Sequence, residues 1–303
     1  MRILLLGKNG QVGWELQRAL QPLGEVISLD RSKDAATGLC GDLGDLEGLK
    51  KTVLAINPDV IVNAAAYTAV DDAEKNVELA ELINSKAPKV LADLMAQSGG
   101  WLVHYSTDYV FDGSGSESWR EYDATGPLNS YGQTKLNGEQ AIHHSGCQYL
   151  IFRTSWVFAS KGNNFAKTMI RLATERESLG VIADQIGAPT GADLIADVTA
   201  HALLASRSQT SVSGLYHLTA SGQTSWHGYA SFVIEQSRLL GLTLSVKDIN
   251  EIPSSEYPTP AQRPLNSRLK CCKLCDRFGL DLPHWKIGVK HMLMEIQGSK
   301  NES

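Results

Sequence analysis

No apolar run in this chain reaches the ~20 residues that a membrane-spanning helix needs, so no membrane partner is expected. Met1-Arg-Ile-Leu-Leu-Leu6 is a short apolar run that ends in a glycine turn, too short for the core of a secretory signal. The expected compartment is therefore the cytoplasm. An excess of basic residues is also missing. The net charge is −5, which argues against nucleic acid or an acidic membrane surface as a partner. Cysteine is scarce: Cys40, Cys147, Cys271, Cys272 and Cys275 are odd in number and scattered, as reduced thiols are. Cys272-Lys-Leu-Cys275 has C-x-x-C spacing, but a zinc site needs two further ligands and only His284 is near. The pair falls inside an amphipathic helical pattern rather than at a helix start, so structural thiols are expected. Internal repeats and low-complexity stretches are absent.

What remains is an ordinary globular composition. The 303 residues are 43% hydrophobic and 20% charged, enough for one large or two modest domains with real cores. Strand and helix patterns alternate through the first half. Strands are expected at Arg2–Leu6, Glu25–Leu29, Val60–Asn63, Trp101–Ser106 and Tyr149–Thr154. Helices are expected at Gln11–Leu20, Leu43–Ile56, Val77–Ile83, Pro88–Ser98 and Tyr131–His143. Strands this apolar are buried on both faces, and their alternation with helices implies a parallel α/β sheet. After about residue 155 the pattern weakens. Helices are expected at Asn164–Arg176, Asp193–Ser206 and Trp226–Leu240, and strands at Leu179–Ala183 and Gly214–Leu218. Pro253, Pro258, Pro260 and Pro264 mark an irregular segment, and the polar tail Gln297–Ser303 is expected to fray.

The first strand runs into Gly7-Lys-Asn-Gly10-Gln11-Val12-Gly13. In a strand–turn–helix setting the first glycine permits the turn, the second lets backbone approach a pyrophosphate, and the third allows close helix packing. The helix N-terminus then offers free N–H groups to the anion. The competing reading is a plain tight turn, which also needs glycine. Asp30 ends the second strand, where a carboxylate binds ribose hydroxyls and favours NAD. Arg31 and Lys33 follow and suit a 2′-phosphate, so NADH and NADPH both stay open. Asp42 and Leu43, and the small residues Ala64, Ala65 and Ala66 after the third strand, are further cofactor candidates; packing is the bland alternative. The fourth strand ends in Tyr105-Ser-Thr107-Asp108, at the carboxyl edge where ligands of open α/β sheets bind. Tyr131 and Lys135 stand four residues apart, on one face of a helix. A phenol beside an ammonium is a proton donor with an adjustable pKa.

The set Gly7-x-x-Gly10-x-x-Gly13, Asn63-Ala-Ala, Ser106-Thr107-Asp108 and Tyr131-x-x-x-Lys135 resembles the extended short-chain dehydrogenase/reductases. Further blocks narrow the resemblance to the branch that reduces a dTDP-linked ketosugar for rhamnose synthesis. They include Gly10-Gln-Val-Gly-Trp-Glu15, His104-Tyr-Ser-Thr-Asp-Tyr-Val-Phe111, Phe152-Arg-Thr-Ser-Trp-Val157, Asp184-Gln-Ile-Gly-Ala-Pro-Thr190 and Arg263-Pro-x-Asn-Ser267. The likeness implies a Rossmann-type doubly wound sheet, with residues 1–155 as dinucleotide-binding domain. Residues 156–303 are then mainly a smaller, partly interleaved substrate domain with segments returning to the sheet. It implies that Tyr131 donates a proton to the C4 carbonyl oxygen, that Lys135 lowers the phenol pKa and holds the nicotinamide ribose, and that Thr107 hydrogen-bonds the carbonyl. Tyr105 joins the cofactor contacts. Asp108, Trp156, Asn163, Asn164, Arg263 and Asn266 are implied substrate contacts, with Arg263 on the diphosphate. It also implies a homodimer and Mg²⁺, with Glu15, Asp193 and Glu295 as candidate ligands. Asp193 stands where the family pattern has Glu, which shortens its reach.

Two other functions share the fold. Dehydratases of the family carry a Glu directly after Thr-Asp to protonate a leaving hydroxyl; here Tyr109 stands there, which favours simple reduction. Epimerases are less cleanly separated. A regulatory subunit that only binds NADP is the second alternative, and retention of Thr107, Tyr131 and Lys135 together argues against it.

Overall fold

In a computed structural model of the chain, residues 1–34, 36–207 and 209–301 are described. Five strands of the first half form the middle and one edge of a six-stranded sheet: β1 (Arg2–Leu6), β2 (Glu25–Leu29), β3 (Val60–Asn63), β4 (Trp101–Thr107) and β5 (Gln148–Thr154). The sixth, Gly214–His217, adds beside β5 from the second half of the chain. Every pairing is parallel. In β1, Ile3 and Leu5 point into one core with Leu16, Leu20 and Ile195, whereas Leu4 and Leu6 point into another with Leu49, Val53 and Leu91. Two covered faces explain why the strand reads as an unbroken apolar run. Each such side chain contributes ~1.5–3 kcal/mol by leaving water.

The strand order places β1 between β2 and β3, so the chain leaves β1 in one direction and returns on its other side. That reversal opens a crevice at the carboxyl ends of β1 and β3. The glycine turn and helix α1 (Gln11–Leu20) rise from it. The helix Ala192–Ser206 packs along α1, and Arg18 reaches Asp197 across the pair at 2.9 Å. The rest of the second half builds a smaller unit beside the crevice. The strand Ser178–Ile182 pairs in parallel with Asp248–Ile252; the helices Phe165–Glu175 and Trp226–Leu239 pack on it and on each other, and the helix Trp285–Asn301 packs on Trp226–Leu239.

Several elements differ from expectation for local reasons. The second helix starts at Leu46 rather than Leu43 because the Asp45 carboxylate accepts the Gly48 N–H at 2.9 Å and caps it there. The helices expected at Val77–Ile83 and Pro88–Ser98 are joined. Val77–Glu81 passes into a π-turn at Leu82–Lys86 and then into Ala87–Ser98. The C-terminal helix Trp285–Asn301 carries the chain through the segment expected to fray, the last two residues of which lie outside the described ones. Cys272 and Cys275 lie in the short helix Cys272–Phe278, whose Leu274 and Phe278 are buried. The thiols of all five cysteines are free, and burial pushes Cys271 up to about 11.

Candidate active site

A cleft of about 820 Å³ runs along the carboxyl edge of the sheet. At one end sits the glycine turn. Gly7 has φ +87°, and a Cβ there would come within 2.7 Å of the Ala65 nitrogen. A Cβ on Gly13 would lie 2.0 Å from the Gly7 oxygen. Gly10 is exposed at the N-terminus of α1, with Gln11 and Val12 beside it on the cleft wall. The cradle has the shape and the free N–H groups that a pyrophosphate requires. Asp30, Arg31, Asp42, Leu43, Ala64, Ala65 and Ala66 line the same cleft; Lys33 does not. The Asp30 carboxylate accepts from Asn9 Nδ2 at 2.6 Å and from the Ser32 N–H at 2.8 Å.

The chemistry-bearing side chains meet where β4 ends. Asn129 starts the helix Ser130–His144 by accepting the Gly132 N–H at 2.8 Å, which sets Tyr131 and Lys135 on its inner face. A Cβ at Gly132 would lie 2.2 Å from the Tyr109 oxygen, so this glycine lets the helix press against the end of β4. Burial pushes the Tyr131 phenol up to about 12, against which a hydrogen bond with Thr107 pulls it down. The Thr107 hydroxyl also donates to Asp108 Oδ1 at 3.1 Å. Asp108 is itself raised to about 6 by burial, opposed by hydrogen bonds from Ser267 and Thr107. Lys135 is buried, and burial pulls it down to about 8 against the favourable charge of Glu139. Its Nζ donates to the Tyr105 carbonyl at 2.6 Å and stands 3.0 Å from His104 Nε2. The sequence leads to a phenol lowered by lysine; here burial dominates and raises it, while Lys135 is turned toward β4.

Other expected contacts fall in different places. Trp156 lines the cleft with φ +49°, stacked on Trp226. Asn163 is exposed and outside the cleft lining. Asn164 caps the helix Phe165–Glu175 through the Lys167 N–H at 3.1 Å and donates to Gln11 Oε1 at 3.0 Å. Arg263 forms a two-pronged pair with Asp71, at 3.0 and 2.8 Å. Asn266 is buried and donates to the Ser114 and Glu117 carbonyls, bracing a loop. The structure thus uses Asn164, Arg263 and Asn266 in internal contacts beside the cleft rather than on its walls.

Glu15, Asp193 and Glu295 come together around a separate small cavity, with His291. Burial, and then the charges of Asp193 and Glu295, raise the Glu15 carboxyl against the pull of Arg18. The oxygen donors suit a hard cation. Yet among the described residues no three acidic, histidine or cysteine side chains are gathered closely enough to hold a metal ion. The described residues of one chain do not supply the ligand shell.

Sequence reasoning passed over three residues, two buried behind the cleft and one on its wall. Asn84, in the π-turn, is buried. It accepts the Tyr67 N–H at 2.8 Å and donates to Thr134 Oγ1 at 3.1 Å, which ties the loop after β3 to the Tyr131 helix. Trp226 lines the cleft's outer end. His104, in β4, touches Lys135 from below. The Ser106 and Thr154 hydroxyls are buried at the cleft without a partner among the described residues.

A Rossmann sheet whose fourth strand ends against a buried Tyr–Lys helix is the arrangement of a nicotinamide-dependent short-chain dehydrogenase/reductase. Comparison with known proteins narrows this. The family model described as the RmlD substrate binding domain matches residues 1–297. The dTDP-4-dehydrorhamnose reductase of Shigella flexneri is 55% identical over 98% of both chains. A crystal structure of a dTDP-4-dehydrorhamnose reductase from Clostridium acetobutylicum matches with a TM-score of 0.86 at 34% identity, over 98% of this chain and 100% of that one. One from Bacillus anthracis, in complex with NADP, matches with a TM-score of 0.85 at 33% identity, over 97% and 99%. The chain belongs to the dTDP-4-dehydrorhamnose reductase family.

Proposed function

We propose that the chain reduces the C4 ketone of dTDP-4-dehydro-L-rhamnose to dTDP-L-rhamnose with NADPH or NADH. The observation that carries this reading is the meeting of Thr107, Tyr131 and Lys135 at the end of β4, in one cleft with the Gly7–Gly13 cradle. A nicotinamide cofactor held by the Gly7–Gly13 cradle and the Ala64–Ala66 wall would supply the hydride for C4. Tyr131 gives its phenolic proton to the carbonyl oxygen as negative charge develops there, and the Thr107 hydroxyl, which donates to Asp108 Oδ1 in the free protein, turns its one proton to the same oxygen. A high phenol pKa keeps Tyr131 protonated through the physiological range, as a donor must be. Proton donation by a positioned side chain contributes ~10²–10⁴-fold. Buried walls at β4 exclude water and strengthen both hydrogen bonds. Residues 1–155 carry the cofactor side in this reading, and residues 156–303 mainly the sugar side, through Trp156 and Trp226.

The test is NADPH oxidation with the ketosugar nucleotide generated in situ. Tyr131→Phe should retain NADPH binding and lose most turnover; wild-type turnover in that variant would remove Tyr131 from the role of donor.

The reading extends to a cytoplasmic homodimer. No described helix is long and apolar enough to cross a membrane, and five free thiols suit a reducing compartment. Trp14, Ile287 and Met294 are exposed beside the Glu15–Asp193–Glu295 cavity, an apolar rim suited to a second copy. Sedimentation velocity should give a dimer for the wild type and a monomer for Trp14→Glu; a monomeric wild type rejects this part.

A further inference from the structure

Hydrogen-bond direction can be followed from the backbone to Lys135. A backbone N–H can only donate, and that of Ala65 points at Asn63 Oδ1 from 3.2 Å. This fixes the amide: the other end of Asn63, Nδ2, faces His104 Nδ1 at 3.2 Å. An amide nitrogen donates, so His104 Nδ1 accepts and carries no proton. The ring proton therefore sits on Nε2, which faces Lys135 Nζ at 3.0 Å. A donor N–H toward an ammonium is a clash of two donors. Toward an amine it is a hydrogen bond, and that amine still donates to the Tyr105 carbonyl at 2.6 Å.

We propose that His104 is a positioning residue for Lys135: the directed run Ala65–Asn63–His104 presents an N–H to Nζ and disfavours the ammonium form in this arrangement. His104 and Asn63 are 1% exposed each, so water does not relax the conflict. The neighbouring groups do not reverse it. On its own helix Lys135 has Tyr131 and Glu139, and Glu139 favours the ammonium but is held by Arg153 of β5 at 2.9 and 2.6 Å. From β4 and its end come His104, Tyr105, Asp108 and Tyr109, the last packed edge-on against Tyr131. Glu74 and Glu81 meet the helix elsewhere, at the Ser130 N–H and at Asn137. Burial of both rings and amine acts in the same sense, drawing His104 well below its ordinary value and Lys135 to about 8. Lys135 then holds its proton loosely; when that proton is lost, the positive charge that steadies the phenolate left on Tyr131 after proton transfer goes with it, and activity ends on the alkaline side before the phenol itself titrates.

The kinetic part of this inference rests on Tyr131 as proton donor; the tautomer part does not. Two variants reverse the polarity of the run without emptying space. Gln in His104→Gln can turn a carbonyl oxygen toward Nζ. Asn63→Asp keeps the acceptor for the Ala65 N–H but makes His104 Nδ1 the donor, so that Nε2 accepts from Lys135. Both should move the alkaline limb of the kcat profile upward by about one pH unit, with NADPH binding retained. Lower kcat at every pH with an unmoved limb in both variants would reduce His104 to a packing residue and overturn the proposal. Nitrogen-15 spectra of histidine-labelled wild type, with the His104 signal assigned by its loss in His104→Gln, should show a neutral ring protonated on Nε2 between pH 6 and 9, a range of about three units around neutrality. An Nδ1–H tautomer or an imidazolium would also overturn it. Should Tyr131→Phe keep its turnover, the donor assignment falls while the tautomer result still stands or fails by itself.

Discussion

The indole of Trp156 lies against that of Trp226 with ring centroids 3.6 Å apart and planes inclined by 14°. Trp156 reaches this position from a left-handed backbone, φ +49°, which costs ~1–3 kcal/mol for a side chain of its size. Gly187 makes the room: a Cβ there would lie 2.8 Å from the Trp156 ring. Trp226 is fixed in turn by its Nε1–H, which donates to Gln185 Oε1 at 3.0 Å. The pair forms a rigid wall at the outer end of the cleft. Trp226→Phe should loosen the Trp156 ring and raise KM for the sugar nucleotide about 2–10-fold, the range for ~0.5–1.5 kcal/mol of lost aromatic contact. kcat and KM for NADPH should change less than about twofold, since neither indole hydrogen-bonds Tyr131, Thr107 or Lys135. Steady-state kinetics with each substrate varied in turn decides this; a fall in kcat with unchanged KM would place Trp226 in the chemical step.

How much of this was legible in the chain depends on the sequence distance of each contact. The cradle was, because Gly7, Gly10 and Gly13 act within one turn and the geometry they permit is local. The Tyr131–Lys135 spacing was legible for the same reason. The setting of that pair was not. Whether Lys135 faces a phenol or a histidine depends on how β4 lies under the helix, 31 residues away in sequence. Arg263 shows the limit more sharply. A guanidinium near a nucleotide site reads as a phosphate ligand, yet its carboxylate partner Asp71 is 192 residues distant and no periodicity links them. The parallel sheet was readable from apolar strands alternating with helices. Gly214–His217 was readable too, but the strand Asp248–Ile252 and the helix Trp285–Asn301 were not, since each carries its apolar residues among many polar ones.

Asp108 gives a stability prediction with a definite sign. Burial raises its carboxyl from 3.8 to about 6 in the folded protein. The folded state therefore holds this proton more tightly than the unfolded chain does. The stabilisation is full below the unfolded value and is lost as pH rises through about 6. A shift of that size is worth roughly 3 kcal/mol at neutral pH. Asp108→Asn keeps the shape and the acceptor for Thr107 without the charge. It should melt a few degrees above wild type at pH 8 and level with it near pH 4, a contrast expected from linkage with a pKa that moves by about two units. Equal melting points at both pH values would mean that folding leaves the Asp108 carboxyl unshifted, and a variant less stable than wild type at pH 8 would mean that it is stabilised as a carboxylate. Turnover should fall further in Asp108→Ala than in Asp108→Asn, because only the alanine removes the acceptor that holds Thr107.

Glu139 and Arg153 form a buried pair behind the Tyr131 helix, with side chains only 4% and 5% exposed. The guanidinium also lies over the Phe111 ring, 5.0 Å from its centroid. Removing one partner leaves a charge in a low-dielectric site, at a cost of about 3–5 kcal/mol. Glu139→Ala should lose that much in urea unfolding. Glu139→Leu combined with Arg153→Met should recover most of it, because no orphan charge remains. A Glu139→Ala variant within about 1 kcal/mol of wild type would mean that water reaches Arg153 readily.

Arg31 is the expected determinant of cofactor choice. Asp30, the residue suited to ribose hydroxyls, already accepts from Asn9 and the Ser32 N–H and has Lys8 Nζ at 3.8 Å, which offsets its charge. Arg31 is exposed on the cleft wall next to it, where a 2′-phosphate of NADPH would lie and NADH has only a hydroxyl. A charge-assisted contact of ~1.5 kcal/mol corresponds to about tenfold in affinity. Arg31→Ala should therefore raise Kd and KM for NADPH about tenfold and leave those for NADH within about twofold. Raising the salt concentration should weaken NADPH binding to the wild type more than NADH binding and narrow that difference in the variant, since an exposed ion contact is screened. Calorimetric titration with both cofactors, at low and high salt, measures each of these. Equal losses for NADPH and NADH would show that Arg31 supports the loop rather than the phosphate.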